Sequence, residues 1–114
     1  MIKKMLVAAV SLAALLSFGV AQAEVARAVV TTGVEEREPV NDVDHVAAGE
    51  EKVFFFTELR DMSDQSVTHV WKHNGEVMAE VRFDVGGPRW RVYSSKNMLP
   101  EWGGEWQVSV VGEA

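Results

Sequence analysis

The chain has 114 residues, no cysteine and a formal net charge of −6 at pH 7, with 17 acidic against 11 basic residues. This acidic balance excludes the basic face that attracts nucleic acids and anionic membranes. The absence of cysteine excludes disulfides, thiol chemistry and the attachment point of a lipoprotein anchor. Stability must come from packing, for which four tryptophans and five phenylalanines offer large apolar surfaces.

The amino terminus has the pattern of a secretory signal peptide. Lys3 and Lys4 form its positive region, residues 6–20 form an apolar stretch, and Ala21-Gln22-Ala23 is a small-x-small cleavage site. The apolar stretch is shorter than the ~20 residues that a membrane-spanning helix needs. We therefore expect residues 1–23 to be removed. The remaining single domain, 24–114, has a formal charge of −8 and is expected in the periplasm or outside the cell, with no membrane insertion.

The rest of the chain alternates short strand-like runs with turn signals, and no window shows a helical period. The predicted strands, in chain order, are residues 25–33, a short edge strand near Pro39 and Val40 within an acidic connector, 52–59, the two arms of a hairpin at 67–83, 89–95 and 105–111. This pattern indicates an all-β fold, a small antiparallel β-sandwich of six to seven strands.

The hairpin is signalled by Asn74-Gly75 between two alternating runs, and two strand registers compete for it. A two-residue loop pairs Trp71 with Met78 on a mixed polar face. A three-residue loop pairs Trp71 with Val77 and brings Val81 onto the same apolar face. Because a slip of one residue moves every side chain to the other face, burial selects the register. We favour the three-residue loop, with Trp71 in the core against Val77 and Val81.

Two histidines, His69 and His73, flank Trp71 and raise the question of a metal or catalytic site. Four strand residues separate their backbones by ~13 Å, whereas a shared Zn²⁺ needs each nitrogen within about 2.1 Å. We expect His69 at the margin of the core with a hydrogen-bond partner and His73 exposed at the turn. The alternative is a metal-binding or hydrolytic protein in which His45 joins these two residues after folding.

The clearest candidate for binding is R-W-R-V-Y-S-S-K, residues 89–96, which concentrates positive charge in an acidic chain. Arg89, Arg91 and Tyr93 share one strand face, and Lys96 lies nearby. Since the guanidinium group offers a two-pronged donor, this strip could bind an anion or a carboxylate. The structural alternative is that the arginines pair with acidic residues of neighbouring strands, namely Glu58, Glu80 or Glu105.

A second candidate contact is Trp102, in a loop beside a pair of glycines. An exposed tryptophan there could stack on a sugar ring or enter a partner's pocket, as interface hot spots do. The structural alternative is that Trp102 folds back and closes the end of the sandwich.

Nothing in the sequence predicts an enzyme or a cofactor site. The serines lack the G-x-S-x-G context of a nucleophile elbow. Gly86-Gly87-Pro88 is a turn, since no helix follows whose amino terminus could bind phosphate. We expect no catalytic residue, no resident metal and no cofactor.

The chain resembles a bacterial family of short exported domains, the domain-of-unknown-function family 2914. The stretches that carry the resemblance are E-R-E-P-V (36–40), F-F-T-E-L (55–59), V-T-H-V-W-K-H-N-G (67–75), R-W-R-V-Y-S-S-K-N-M-L-P (89–100) and G-E-W-Q-V-S-V-V (104–111). The resemblance implies a small exported β domain and no particular activity. A tryptophan ahead of an Asn-Gly hairpin is also similar to immunoglobulin-like sandwiches, at the level of fold only.

Together these features predict a non-catalytic binding module that engages a protein or polymer of the bacterial envelope. The candidate contacts are Arg89, Arg91, Tyr93, Lys96 and Trp102. A structural subunit of an assembly is a further alternative.

Overall fold

The computed structural model describes residues 2–7, 14–16, 23–47 and 52–112. Much of the predicted signal peptide, including residues 21 and 22 of its cleavage site, lies outside these ranges. Cleavage after Ala23 therefore stays a prediction.

Ten strands and one 3₁₀ turn make up the regular structure of the described residues. They are β1 (Ile2–Val7), β2 (Ala14–Leu16), β3 (Glu24–Thr31), β4 (Val34–Glu35), β5 (Glu38–Pro39), β6 (Lys52–Arg60), β7 (Ser66–His73), β8 (Glu76–Asp84), β9 (Arg89–Asn97), the 3₁₀ turn (Pro100–Trp102) and β10 (Glu105–Gly112). Among these residues there is no helix long and apolar enough to cross a bilayer.

All strand pairs are antiparallel and form two main sheets. One sheet has the order β2-β1-β10-β7-β8, the second has the order β3-β6-β9, and β4 pairs with β5 as a separate small hairpin. The predicted all-β antiparallel fold is confirmed. The short edge strand expected near Pro39 is β5, which docks on the protein through Glu38.

The core lies between the two main sheets, where alternate residues of each strand point inward. In β6, Val53, Phe55 and Leu59 are fully buried, as expected for a central strand. They pack in one cluster with inward residues of β7 and β10, including Trp71 and Val108. The opposite face of β6 carries Phe54, Phe56, Glu58 and Arg60, and the candidate site is built on this face.

The hairpin of β7 and β8 corrects the favoured register. Its loop has two residues, Asn74 and Gly75, both with positive φ, as a type I′ turn requires. A bulge then follows, so that Trp71 faces Ala79 across the strands. Trp71 is fully buried as predicted, but the expected contact with Val77 is wrong. Val77 is 48% exposed because the two-residue loop pairs it with Lys72 on the outer face of the sheet.

Candidate functional site

Glu58 of β6 is the centre of the candidate site, since its carboxylate is only 3% exposed and is surrounded by arginines. Arg27 of β3 donates to it at 2.7 Å, and Arg60 donates at 2.8 Å. Arg89 of β9 donates at 3.2 Å. The strand order places Arg27 and Arg89 on either side of β6, so one acidic side chain links three adjacent strands.

A second carboxylate, Glu38 of β5, reaches the same face from the β4–β5 hairpin. It receives two hydrogen bonds of 2.9 Å from Arg27 and one from Arg91. Arg91 also donates to the carbonyl oxygen of Arg37, in the turn of that hairpin. These bonds hold the hairpin over the β3-β6-β9 sheet.

The ionisation of both carboxylates follows from these contacts. Burial alone would raise the pKa of Glu58, but hydrogen bonds from Arg27, Arg89 and Arg60 outweigh it and lower the pKa to about 2. Hydrogen bonds from Arg27 and Arg91 likewise lower the pKa of Glu38 to about 2. The same pairs raise the pKa of Arg27 further above its already high ordinary value, first through Glu38. Both carboxylates are therefore charged at neutral pH.

We call the six residues the arginine face: Arg27, Arg60, Arg89, Arg91, Glu38 and Glu58. Its four guanidinium groups meet two carboxylates, which leaves an excess of positive charge on a strongly acidic chain. The arginine side chains keep between 23% and 50% of their surface exposed. They therefore retain donors that face solvent.

Beside this face, a cleft of about 470 Å³ opens between the edges of the two sheets. We call it the arginine cleft; it is lined by Arg37, Phe83, Arg89, Trp90, Arg91, Val92 and Tyr93. Tyr93 is 46% exposed and Trp90 is 37% exposed. The cleft thus combines guanidinium groups with accessible aromatic surface.

The five contacts predicted from the sequence fall into two separate groups. Arg89, Arg91 and Tyr93 come together in the arginine cleft. Lys96 lies five residues beyond Arg91 along β9, which corresponds to ~17 Å of strand. Its ammonium group sits 4.7 Å above the ring of Trp102, away from the cleft.

Trp102 takes the folded-back arrangement that was its structural alternative. Its ring packs edge-on against Trp106 at 6.2 Å, and the Trp106 indole donates to its carbonyl oxygen at 2.8 Å. Trp102 also packs on the hydrophobic core. The Lys96–Trp102 pair therefore closes one end of the sandwich.

The three histidines have separate surroundings. His69 is fully buried, where a place at the core margin was expected, and its two ring nitrogens lie 2.9 Å from the Thr57 hydroxyl and 2.7 Å from the Ser94 hydroxyl. His73, expected to be exposed, is half-buried; it stacks on Trp106 and donates to the Gly103 carbonyl.

His45 is exposed beside Asp44 at 3.4 Å. Within the described part of the chain, no three histidine, aspartate or glutamate side chains converge as metal ligands would.

The sequence interpretation missed half of the arginine face, namely Arg27, Arg60 and Glu38. Arg60 lies two residues from Glu58, so period-two spacing places both on one sheet face. Arg27 lies two residues from the buried Val25, but a bulge between them turns Arg27 to the opposite face, beside Glu58. Side-chain alternation alone cannot show that β3 and β9 flank β6. Of the acidic partners expected for the arginines, Glu58 is confirmed for Arg89, while Arg91 pairs with Glu38 instead.

Comparison with known proteins finds a protein family whose model matches part of the chain. No curated protein and no solved structure matches the chain significantly. The model of a family described as "Protein of unknown function (DUF2914)" matches residues 64–114. The match spans β7 to β10, and so contains Arg89, Arg91, Tyr93, Lys96 and Trp102, while the resembling stretches 36–40 and 55–59 lie outside it. Residues 64–114 are thus similar to the DUF2914 family, as the resemblance in the sequence predicted.

Proposed function

We propose that this protein is an exported, non-catalytic binding module of the bacterial envelope, and that it binds an anionic partner in the arginine cleft. The observation that carries the proposal is the juxtaposition of Arg89 and Arg91 with exposed Trp90 and Tyr93 around one cleft. Export is supported by the signal-peptide pattern of residues 1–23.

The ion pairs of the arginine face support binding as well as stability. Glu58 and Glu38 fix the positions of Arg89 and Arg91, so little side-chain entropy is lost when a ligand arrives. The excess positive charge remains available, because four guanidinium groups meet only two carboxylates on this face. A preorganised arginine can then donate its remaining N–H groups to a carboxylate of the ligand.

The chemistry of the cleft defines the class of ligand. Arginine favours planar anions, above all carboxylates, and the neighbouring aromatic rings favour flat apolar surfaces or sugar rings. An acidic segment of an envelope protein and a carboxylate-bearing envelope polymer both provide these groups. Because the chain as a whole carries a net charge of −6, an anionic ligand is attracted only to this local positive surface.

Titration calorimetry with two defined probes, a short oligoglutamate peptide and a uronic-acid oligosaccharide, tests the proposal. The double variant Arg89→Gln with Arg91→Gln is expected to weaken binding of the recognised probe by about tenfold or more, because charge-assisted hydrogen bonds are lost. The matched control, Arg82→Gln with Lys52→Gln, removes the same charge from exposed positions elsewhere.

Equal affinity of the cleft variant and the control for the recognised probe would contradict the proposal. So would the absence of measurable binding of either probe to the unaltered protein. Thermal unfolding of each variant separates lost binding from lost folding.

A further inference from the structure

The outer edge of β10 is the feature of the fold that the binding cleft does not explain. In the structure this edge is paired with β1 from Ile2↔Val110 to Val7↔Glu105. Yet β1 belongs to the segment whose removal the sequence predicts. After cleavage, β10 would be left as a free edge of the sheet, next to β7 alone.

The backbone of β10 presents hydrogen-bonding groups on the side where β1 lies. The C=O of Glu105 accepts a hydrogen bond from the backbone N–H of Asn74, the residue after β7, and the N–H of Glu105 donates to the side-chain oxygen of Asn74. Since both groups of one residue point to the same side and alternate along a strand, those of Trp106, Val108 and Val110 point away from β7. Without β1, these groups lose their strand partner.

β10 also lacks the features that protect free edges from pairing. Natural edge strands carry lysine, proline or a bulge, whereas β10 has a single charge, Glu105, and a regular register with β7. The edge strand β8 at the other end of this sheet differs, since it contains a bulge and four charged residues. Of these two edges, only β8 therefore has the features that keep an edge strand unpaired.

We propose that removal of residues 1–23 frees the β10 edge, and that this edge then pairs antiparallel with β10 of a second copy to form a two-fold dimer. The strand complements itself in the register that places Val108 opposite Val108. Gln107 then faces Ser109 of the other copy, and Glu105 faces Val111. No charges of like sign meet in this arrangement, and Trp106 and Val110 extend the two cores across the seam.

The dimer joins two copies through the β10-β7-β8 sheet, whereas the arginine cleft is lined chiefly by β9. It would therefore present two clefts without covering either. The proposal stands independently of the ligand of the cleft.

Analytical ultracentrifugation over a dilution series tests the dimer, using the full chain after export, purified from the periplasm and with its first residue identified by mass spectrometry. We expect a chain that begins at Glu24 and sediments at twice its own mass. A double variant, Gln107→Glu with Ser109→Glu, is expected to weaken dimerisation by about tenfold or more, because two pairs of carboxylates then meet across the seam. Within the chain, position 107 lies opposite Lys72, which limits the cost to folding.

The control for charge is Val77→Glu with Arg82→Gln, which lowers the charge equally on β8 and is expected to leave the dimer intact. A second measurement is oxidative cross-linking of Gln107→Cys with Ser109→Cys, in a chain that otherwise has no cysteine. The two positions would lie about 4.5 Å apart in Cα across the seam, within the range of a disulfide. Cysteines at Glu80 and Arg82 serve as the control pair.

A purified chain that retains residues 1–23, or a cleaved chain that is monomeric throughout the dilution series, would overturn the proposal. A dimer that neither dissociates in the carboxylate variant nor cross-links through the cysteine pair would do the same.

Discussion

His69 is a titratable side chain held inside an apolar core. Its ring lies between Phe55 at 4.6 Å and Phe83 at 4.8 Å, and it has no exposed surface. The hydroxyls of Thr57 and Ser94 can each donate or accept, so both ring nitrogens of the neutral imidazole have partners. Burial disfavours the charged form and lowers the pKa of His69 from 6.5 to about 3.

The stability of the protein should therefore depend on pH through His69. The unfolded imidazole takes up a proton below 6.5, whereas the folded one does so only near its pKa of about 3. This contribution is complete above pH 6.5 and is lost as the pH falls toward 3, with a slope of up to about 1.4 kcal/mol per pH unit. Urea unfolding between pH 7.5 and 5 measures the slope before the carboxylates titrate.

The matched variants for this prediction are His69→Gln and His45→Gln. The first should remove most of the slope between pH 6.5 and 5, and the second should keep it, because His45 is exposed. A free energy of unfolding that is independent of pH in the unaltered protein would contradict the assignment.

At the scale of elements, the β4–β5 hairpin and three strands are connected through carboxylates. Glu58 joins β3, β6 and β9, and Glu38 attaches the hairpin to Arg27 and Arg91. The turn of the hairpin places Glu36 and Arg37 at φ of 50° and 62°, a left-handed conformation uncommon for such residues. The bonds of Glu38 and Arg91 offset that cost by holding the hairpin in place.

Replacing Glu58 by Gln should destabilise the protein by about 2 kcal/mol. Removing one partner from a fully buried ion pair costs about 3–5 kcal/mol, but the three arginines here are partly exposed and regain water, which reduces the loss. Urea unfolding at pH 7 measures the effect. Glu80→Gln on β8 is the control and should change stability by less than about 0.5 kcal/mol, since Glu80 is exposed. Equal effects of the two variants would show that the network contributes nothing.

At the scale of the whole molecule, a polar network crosses the core and joins the two sheets. Ser94 of β9 accepts a hydrogen bond from the Trp71 indole at 3.0 Å and shares one with His69 at 2.7 Å, and both of these partners lie on β7. Thr57 of β6 completes the network at the other nitrogen of His69. These bonds specify one alignment of the sheets, which apolar contacts alone would leave less defined.

Replacing Ser94 by Ala should therefore cost about 2–5 kcal/mol, because it leaves two buried groups, on Trp71 and His69, without a partner. The neighbouring change Ser95→Ala falls on the exposed side of the same strand and should cost less than about 0.5 kcal/mol. The two free energies of unfolding, compared at pH 7.5, provide the measurement. A difference below about 1 kcal/mol would mean that water or a rearrangement satisfies the two groups.

Most of the secondary structure could be predicted because it depends on local pattern. Alternation and β-branched residues identified the main strands, and Asn74-Gly75 identified the hairpin. The predicted register of the hairpin was wrong because the loop is one residue shorter than expected and β8 contains one bulged residue. Together these two changes leave Trp71 on the same face, so the alternation of side chains cannot reveal them. The same alternation placed His69 on the face of Trp71, although the polarity of its ring suggested the margin.

What the sequence by itself determined is the class of fold, the burial of Trp71, the similarity of residues 64–114 to the DUF2914 family and the location of Arg89, Arg91 and Tyr93 on one strand face. Only the tertiary structure decided which residues meet. It brought Arg27 to both Glu38 and Glu58 and separated Lys96 and Trp102 from the arginine cleft. The physical reason is that side-chain alternation is a local property, whereas strand order depends on how the sheets bury their apolar faces against each other.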